Sequence, residues 1–168
     1  MRLSRLLRHL TASNWRTRLL FPASALDAIE QSVTRSERAH GGEIRLAIET
    51  ALPPPHVLNE LLPRHRAEEV FAQLKVWDTE ANNGVLIYIQ VADRDVEIVA
   101  DRGFNGRVSA AEWEAVCRLM EGHFREGRFE AGAVAGVEAV GNLIARHFSA
   151  PTTSNPAHNE LPDRPTLL

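Results

Sequence analysis

The sequence predicts an α/β fold, a Rossmann-like α/β/α sandwich built around a small mixed sheet. Helical and strand-like segments alternate over residues 23–149, and residues 84–91 form an almost continuous apolar run. Such a run is typical of a strand that is covered on both faces. Strands joined through a helix run parallel with a right-handed connection. We therefore expect the element order αβαββαα.

The first part of this domain should contain a helix, a strand and a second helix. Ser24 followed by Asp27 resembles a capping box, and a helical pattern runs from there to Gly41. Apolar and polar residues then alternate over 43–49, which predicts a strand. An amphipathic helix over 64–76 should connect this strand to the apolar run.

The second part should contain a hairpin and two closing helices. Residues 92–95 form a polar break before the strand-like residues 96–100, which is short enough only for an antiparallel connection. We expect Val91 to face Val96 across this hairpin. Ser109 begins an S-x-x-E capping box that opens one helix, and the last helix should span about 130–147.

The two ends of the chain differ from residues 23–149. Residues 1–22 form a basic arm with five arginines and no acid, and its leucines make an amphipathic stripe (Leu3, Leu6, Leu7 and Leu10). The arm either docks on the domain or a partner, or lies on an anionic membrane surface, and its short length favours docking. Residues 150–168 are rich in proline, serine and threonine, so we expect a disordered tail.

Composition excludes several classes of function. The formal net charge of −3 gives no reason to expect a nucleic-acid partner. Cys117 is the only cysteine, so disulfides within the chain and cysteine-rich zinc sites are excluded, as fits a reducing cytoplasm. The longest apolar run, 85–89, is too short to span a membrane, and no signal peptide is predicted. We expect a soluble cytoplasmic protein, with peripheral contact at the inner membrane surface as an alternative.

Oxygen-bearing side chains should gather at one edge of the predicted sheet. The assumed hairpin register places the end of its second strand beside the start of the apolar strand, and a parallel first strand begins at the same edge. Carboxylate and amide oxygens are hard ligands, which favour Ca²⁺, with Mg²⁺ as the alternative. The other interpretation is that these residues only form turns and caps. The six candidate ligands are Glu43, Asp78, Glu80, Asn82, Asn83 and Asp101.

No catalytic residue is predicted. Asp93 and Asp95 lie in a hairpin turn, where solvated acids are common, and Cys117 lies on an apolar helical stripe. The sequence contains no G-x-S-x-G, P-loop or G-x-G-x-x-G motif.

The central segments resemble the TPM domain family. The resemblance is carried by R-A-E-E-V-F at 66–71, V-W-D at 76–78, N-N-G-V-L-I at 82–87, D-R-D-V-E-I at 93–98 and D-R-G at 101–103. It extends to the closing helices through Phe124, Gly127, Phe129 and Gly132, and so covers about 23–148. On this resemblance the chain is identified as a short bacterial TPM member.

The resemblance implies a Rossmann-like sandwich without implying a reaction. Some family members resemble calcium-binding proteins, others are linked to acid phosphatase activity, and others to repair or assembly of membrane complexes. Asp78, Asn82, Asn83 and Asp101 match distinctive polar positions of the family. The first helix departs from the family pattern at its start, where an acid is common, and Glu43 is the candidate replacement ligand.

Two functions follow as expectations. The first is a non-catalytic module that binds calcium and contacts a protein partner, with a link to assembly or repair of a membrane complex. The alternative is a metal-dependent, acid phosphatase-like hydrolase in which the same acids hold the ion and activate water.

Overall fold

The computed structural model describes residues 2–149 and 159–168. The helices and strands alternate much as the sequence predicts, with additional elements at both ends of the domain. The helices are α1 (Arg2–Thr11), α2 (Asn14–Leu20), α3 (Ala23–Glu37), α4 (Pro54–Leu58), α5 (Pro63–Gln73), α6 (Ala110–Arg125) and α7 (Phe129–Ala145). The strands are β1 (Glu43–Glu49), β2 (Gly84–Gln90), β3 (Asp95–Ala100) and β4 (Thr166–Leu167), and a short 3₁₀ turn covers Arg102–Phe104.

The four strands form one mixed sheet in the order β3-β2-β1-β4. β1 and β2 are parallel over their full lengths, β2 and β3 are antiparallel, and β4 adds in parallel to β1. The chain passes from β1 to β2 through α4 and α5, which is the crossover that parallel neighbours require. Consequently the carboxyl ends of β1 and β2 meet at one edge of the sheet and their amino ends meet at the other.

Helices cover both faces of the sheet, so the predicted α/β/α sandwich is confirmed. The larger apolar core packs even-numbered β1 residues such as Leu46 against α3, α6 and α7. The smaller core, on the other face, contains Tyr88 from β2, Val70 from α5 and Leu161 from the C-terminal segment. β1 is buried along its whole length, including its charged residues, because α5 and the C-terminal segment cover the face that its sequence pattern makes polar.

The hairpin register differs from the prediction by two residues. Ile89, not Val91, faces Val96, and a four-residue turn over 91–94 connects β2 to β3. The reason is that β2 ends at Gln90, after which the backbone N–H of Val91 bonds to the carbonyl oxygen of Glu49 in β1. Val91 is apolar like most residues of β2, so the apolar run in the sequence is one residue longer than the paired strand.

The two predicted capping boxes have different outcomes. At α6 the capping box is confirmed, since Ser109 and Glu112 bond to each other's backbone N–H groups. At α3 it is wrong, because Pro22 occupies the N-cap position and Ser24 already lies inside the helix. No helix in the described ranges is long and apolar enough to cross a membrane.

The prediction of a disordered tail is wrong for residues 159–168. Arg45 donates to the carbonyl oxygens of Pro162 and Arg164 at 2.5 and 2.7 Å, and also bonds to the Thr166 hydroxyl. The buried arginine of β1 thus supplies the polar partners that a Pro-rich segment cannot supply for itself. Residues 150–158, the rest of the predicted tail, lie outside the described residues.

We predict that Leu161→Ala lowers the free energy of unfolding by about 2–4 kcal/mol, because Leu161 is 5% exposed and fills the smaller core. Leu167→Ala, at a partly exposed position of β4, should cost less than about 1 kcal/mol. Urea unfolding followed by circular dichroism measures both. Equal, negligible effects would mean that residues 159–168 do not pack on β1.

Candidate functional site

The predicted metal ligands lie around the amino ends of β1 and β2, but their side chains do not form one cluster. The backbone does bring three of their segments together: Asp101 N–H bonds to Gly84 at 2.9 Å, and Glu43 N–H bonds to Asn83 at 3.2 Å. The shared edge is therefore as predicted, although the register that led to it was two residues off.

Asn82 and Asp101 are held by the same neighbour, Arg102. The Asn82 side-chain oxygen accepts a hydrogen bond from Arg102 Nε at 2.7 Å, and Asp101 Oδ1 accepts one from the Arg102 backbone N–H at 2.7 Å. Asn82 has a left-handed φ of 51°, which asparagine tolerates better than most residues. A Cβ at Gly103 would clash with the Asn82 carbonyl oxygen, so glycine is required there. Both predicted ligands also act as local turn and cap formers.

Glu43, Asp78 and Glu80 do not join them. Glu43 Oε2 accepts the Leu161 backbone N–H at 3.2 Å. Burial raises the pKa of the Glu43 carboxyl group, and this hydrogen bond lowers it by less. Asp78 is exposed to solvent, and the Glu80 backbone N–H bonds to Glu160 at 2.8 Å. Two of these acids are thus tied to the C-terminal segment, whose order the sequence did not predict.

Two oxygen atoms at this edge remain without a partner in the described part of the chain. They are Oδ1 of Asn83 and Oδ2 of Asp101, and both are buried. Asn83 is fixed through its amide nitrogen to the Gly41 carbonyl oxygen. Within the described residues no group of three His, Cys, Asp or Glu side chains is arranged to hold a metal ion. The six-ligand site is therefore reduced to two candidate oxygens, to which other ligands or water would have to be added.

The hairpin acid Asp93 anchors the basic arm to the domain. Asp93 Oδ2 lies 2.8 Å from Arg5 Nη2 and 3.1 Å from His9 Nε2, and Oδ1 lies 3.3 Å from Arg8 Nη2. Burial alone would raise the Asp93 pKa, but Arg5 and His9 hold it below its usual value. From the sequence Asp93 is predicted only as a turn residue. The one signal for this contact is that the arm carries arginines without an acid, and that signal does not distinguish Asp93 from other acids of the domain.

His9 connects the arm to the chain after β1. Its Nδ1 atom accepts the Leu52 backbone N–H at 2.9 Å, so the proton of the neutral ring lies on Nε2, which faces Asp93. Arg5 also donates to the Leu61 carbonyl oxygen at 3.0 Å. Further along, Phe21 is buried and meets Phe129 edge-to-face at 5.6 Å, whereas Trp15 is exposed. Residues 1–22 are thus two helices packed on the domain, and of the two aromatics only Phe21 is buried.

A basic pocket of about 430 Å³ opens where these helices cross the carboxyl ends of β1 and β2. Two arginines come from the arm, Arg94 comes from the hairpin turn, and Arg125 comes from the end of α6. No carboxylate side chain is among the residues that line the pocket in the described chain. The lining arginines are Arg8, Arg16, Arg94 and Arg125.

Hydroxyl groups and aromatic rings complete this basic pocket. Thr17 from α2 and Thr50, directly after β1, are both buried, and Thr50 Oγ1 donates to Thr17 Oγ1 at 2.9 Å. Phe124 and Phe129 stack with ring centroids 5.2 Å apart and form an apolar wall. The pocket can therefore accept negative charge at its rim and an apolar group against its wall.

Within the described residues, two candidate nucleophiles, Ser36 and Cys117, are not activated. Ser36 Oγ lies 3.0 Å from His40 Nε2, but Nδ1 of His40 accepts the Gly42 backbone N–H. The neutral ring therefore carries its proton toward Ser36 and cannot act as a base for it. Burial raises the pKa of the Cys117 thiol to about 12, so the thiolate is not formed near neutral pH.

The fold and the pocket define an α/β/α domain with a concave site at the carboxyl ends of its parallel strands. The chain belongs to the TPM domain family, because the family model for the TPM domain matches residues 17–143. No curated protein matches the chain.

Solved structures support the same assignment. The structure of the BA42 protein from the psychrophilic bacterium Bizionia argentinensis is similar, with a TM-score of 0.75 and 30% identity over 88% of this chain and 95% of that chain. The N-terminal domain of a P. gingivalis protein gives a TM-score of 0.63 at 16% identity, covering 80% and 83% of the two chains. The N-terminal domain of the cg2496 protein from Corynebacterium glutamicum gives 0.55 at 13% identity, covering 79% and 77%. The last two show the fold alone.

We predict that Asp93→Asn releases the arm and lowers the free energy of unfolding by about 1–3 kcal/mol, because it leaves Arg5 and His9 without a charged partner. Urea unfolding measures the loss, and limited trypsin digestion should cleave the variant faster at the arginines of α1.

Asp78→Asn is the matched control, since it removes an exposed acid without a partner role in the arm. The anchoring role of Asp93 would be contradicted if the two variants had the same stability and the same cleavage rate.

Proposed function

We propose that this TPM domain is a non-catalytic binding module whose ligand is a small phosphate-bearing anion with an apolar group, held in the basic pocket. The observation that carries the proposal is the convergence of four arginines from three separate parts of the fold on one pocket that no acid lines. Arg8 and Arg125 are each paired with one acid outside the lining, whereas Arg16 and Arg94 have no ion pair within the described residues. Arginine is suited to this role because its planar guanidinium group matches phosphate oxygens in pairs.

The position of the pocket supports ligand binding. In open α/β sheets, ligands bind in the crevice outside the carboxyl ends of the parallel strands. Thr50, Val91 and Ala92, which line the pocket, are the residues directly after β1 and β2. A volume of about 430 Å³ is within the range of small-molecule sites.

Arg94 is held in a conformation that its residue type does not prefer. Its φ is 56°, in the left-handed region where glycine and asparagine are usual, and its exposed side chain has no hydrogen bond or ion pair within the described residues. A left-handed non-glycine residue costs about 1–2 kcal/mol. An arginine at this turn position therefore contributes nothing to stability that glycine would not supply, whereas it adds a positive charge to the pocket.

The geometry favours binding over the phosphatase alternative. The acids that would hold a catalytic metal lie at the amino ends of β1 and β2, while the basic pocket lies at the carboxyl ends. Each of these strands has seven residues, so the two sites are separated by roughly 20 Å. Acids at that distance cannot activate water on a phosphate held by the arginines.

Calcium binding at the amino edge is a second proposal, favoured by the unpaired oxygens of Asn83 and Asp101. Such hard oxygens suit Ca²⁺. An ion bound at this edge would leave the other surfaces of the domain free to contact a protein partner.

We predict that Arg94→Gly weakens the binding of phenyl phosphate about tenfold, because one charge-assisted contact is lost. The same variant should keep or raise the free energy of unfolding, by up to about 1 kcal/mol, because glycine adopts the left-handed turn without strain. Isothermal titration and urea unfolding measure the two effects. A loss of affinity with a gain in stability would separate binding from a folding defect.

Arg35→Gln is the matched control, since Arg35 is an exposed arginine on α3 that does not line the pocket. It removes the same formal charge and should leave affinity within about twofold, as expected for a screened surface charge. Equal affinities for the Arg94 and Arg35 variants would contradict the proposal. Inorganic phosphate in place of phenyl phosphate tests whether the phenylalanine wall contributes.

We predict for the second proposal that millimolar calcium raises the thermal unfolding midpoint, since a ligand that binds only the folded form stabilises it. Asp101→Asn should remove this rise, whereas Asp78→Asn and Glu43→Gln should retain it, because their side chains point elsewhere. A rise that survives in Asp101→Asn, or no rise in the unmodified chain, would contradict calcium binding at this edge.

A further inference from the structure

We propose that the outer sides of α1 and α2 bind the surface of an anionic lipid membrane. Five large apolar side chains on these two short helices are more than half exposed, with Trp15 at 71% and Leu3 at 70%. This is an unusual share for helices that are anchored to a folded domain. The five are Leu3, Leu7, Leu10, Trp15 and Leu19.

On α1 the exposed leucines form one stripe. Leu3, Leu7 and Leu10 are spaced by four and three residues, which places them on the same side of a helix. Arg5 and His9, which bind Asp93, are turned about 200° or more from Leu3 at 100° per residue, so they lie on the opposite side. The contacts that fix α1 to the domain therefore leave its leucine stripe facing away from the domain.

On α2 the exposed apolar pair is flanked by positive charge. Trp15 and Leu19 are four residues apart on one side, and Thr17, on the other side, is buried against Thr50. Arg16 and Arg18 lie on either flank of the pair, both exposed. Neither guanidinium group has a hydrogen bond or ion pair within the described residues. Both charges are thus available beside the apolar stripe.

Charge and residue type together identify the occupant. In the described part of the chain, the unpaired charges beside the exposed apolar residues are those of Arg16 and Arg18, and residues 1–22 contain no acid, so an anionic surface is the complementary partner. Leucine and tryptophan on one side with arginine at its margins are the composition of helices that lie in the membrane interface. Each arginine near an anionic surface adds to the attraction, and tryptophan settles at the level of the headgroups.

The Asp93 anchor makes such short helices effective. A free peptide of this length would have to fold as it bound, which costs binding free energy. Here the Asp93 contacts and the buried Phe21 hold both helices in place before any membrane is met. Both helices are therefore already ordered before binding. Membrane binding then loses less conformational entropy than it would for a free ten-residue amphipathic peptide, whose membrane affinity would be marginal.

This inference does not depend on the phosphate-binding pocket. Arg16 borders both surfaces, but none of the five exposed apolar residues lines the pocket. The apolar positions can therefore be changed without altering the phosphate site, and the two proposals can fail separately.

The test is co-sedimentation of the full chain with vesicles of phosphatidylcholine alone or mixed with phosphatidylglycerol. We expect binding to the mixed vesicles and a fall of about tenfold or more in the partition coefficient for Leu10→Ser combined with Trp15→Ser. Raising the ionic strength beyond about 0.1 M should weaken the remaining electrostatic part. Arg16→Gln combined with Arg18→Gln should reduce both the affinity for mixed vesicles and its salt dependence.

Leu119→Ser is the control, since Leu119 is an exposed leucine on α6, far along the chain from the arm. Thermal unfolding shows whether each variant keeps its fold. Phenyl phosphate titration shows whether the Leu10/Trp15 variant and Leu119→Ser keep the pocket, which none of these residues lines. The proposal is overturned if the unmodified chain does not bind the mixed vesicles, or if Leu119→Ser loses as much binding as the arm variant. It is also overturned if the arm variant only abolishes self-association seen by light scattering, since a second copy would then cover this surface.

Discussion

The contact between the Asp93 carboxylate and the side chains of Arg5, Arg8 and His9 determines where residues 1–22 lie. Without it the Arg5 and His9 side chains of α1 would keep only their hydrogen bonds to the backbone, although Phe21 would still hold α2 on the domain. With it, α1 and α2 lie across the carboxyl ends of β1 and β2. The inner sides of the two helices then line the basic pocket, and their outer sides carry the exposed leucines and Trp15.

The two ends of the parallel strands differ in the groups they present. At the carboxyl ends four arginines line the basic pocket, while Glu43 and Asn83 lie at the amino ends. Near the amino end of β1, burial raises the pKa of Glu37 to about 9. The Glu37 carboxyl group accepts the backbone N–H of Ile44 in β1. A protonated carboxyl group is a poor metal ligand. Glu37 is therefore not a candidate ligand, and among the described residues the unpaired oxygens at the amino ends are those of Asn83 and Asp101.

Much of the fold could be predicted from the sequence because the relevant signals are local. The alternation in Glu43–Glu49, the apolar run that begins at Gly84 and the capping box at Ser109 all depend on neighbouring residues, and each is confirmed. The C-terminal strand could not be predicted, because it is ordered by Arg45, more than 100 residues away. The same limit applies to Asp93, whose partners lie in the arm.

The candidate site was harder to predict than the fold. Asn82 and Asp101 were placed at the correct edge, but their side chains are engaged by Arg102, which the sequence did not single out. The arginines of the pocket lie far apart in the sequence, from residue 8 to residue 125, and in the sequence each resembles an ordinary surface arginine. They converge only through the crossover topology and the anchored arm. A site assembled from distant elements leaves no motif in the sequence.

Titration of Asp93→Asn with phenyl phosphate tests most directly whether the anchored arm creates the site. Asp93 does not line the pocket, and removing its negative charge would by itself strengthen phosphate binding, because the Coulomb repulsion between the two anions is lost. We predict the opposite, an affinity about tenfold lower, because Arg8 leaves the pocket when α1 is released and one charge-assisted contact is lost. An affinity equal to or higher than that of the unmodified chain would contradict the account.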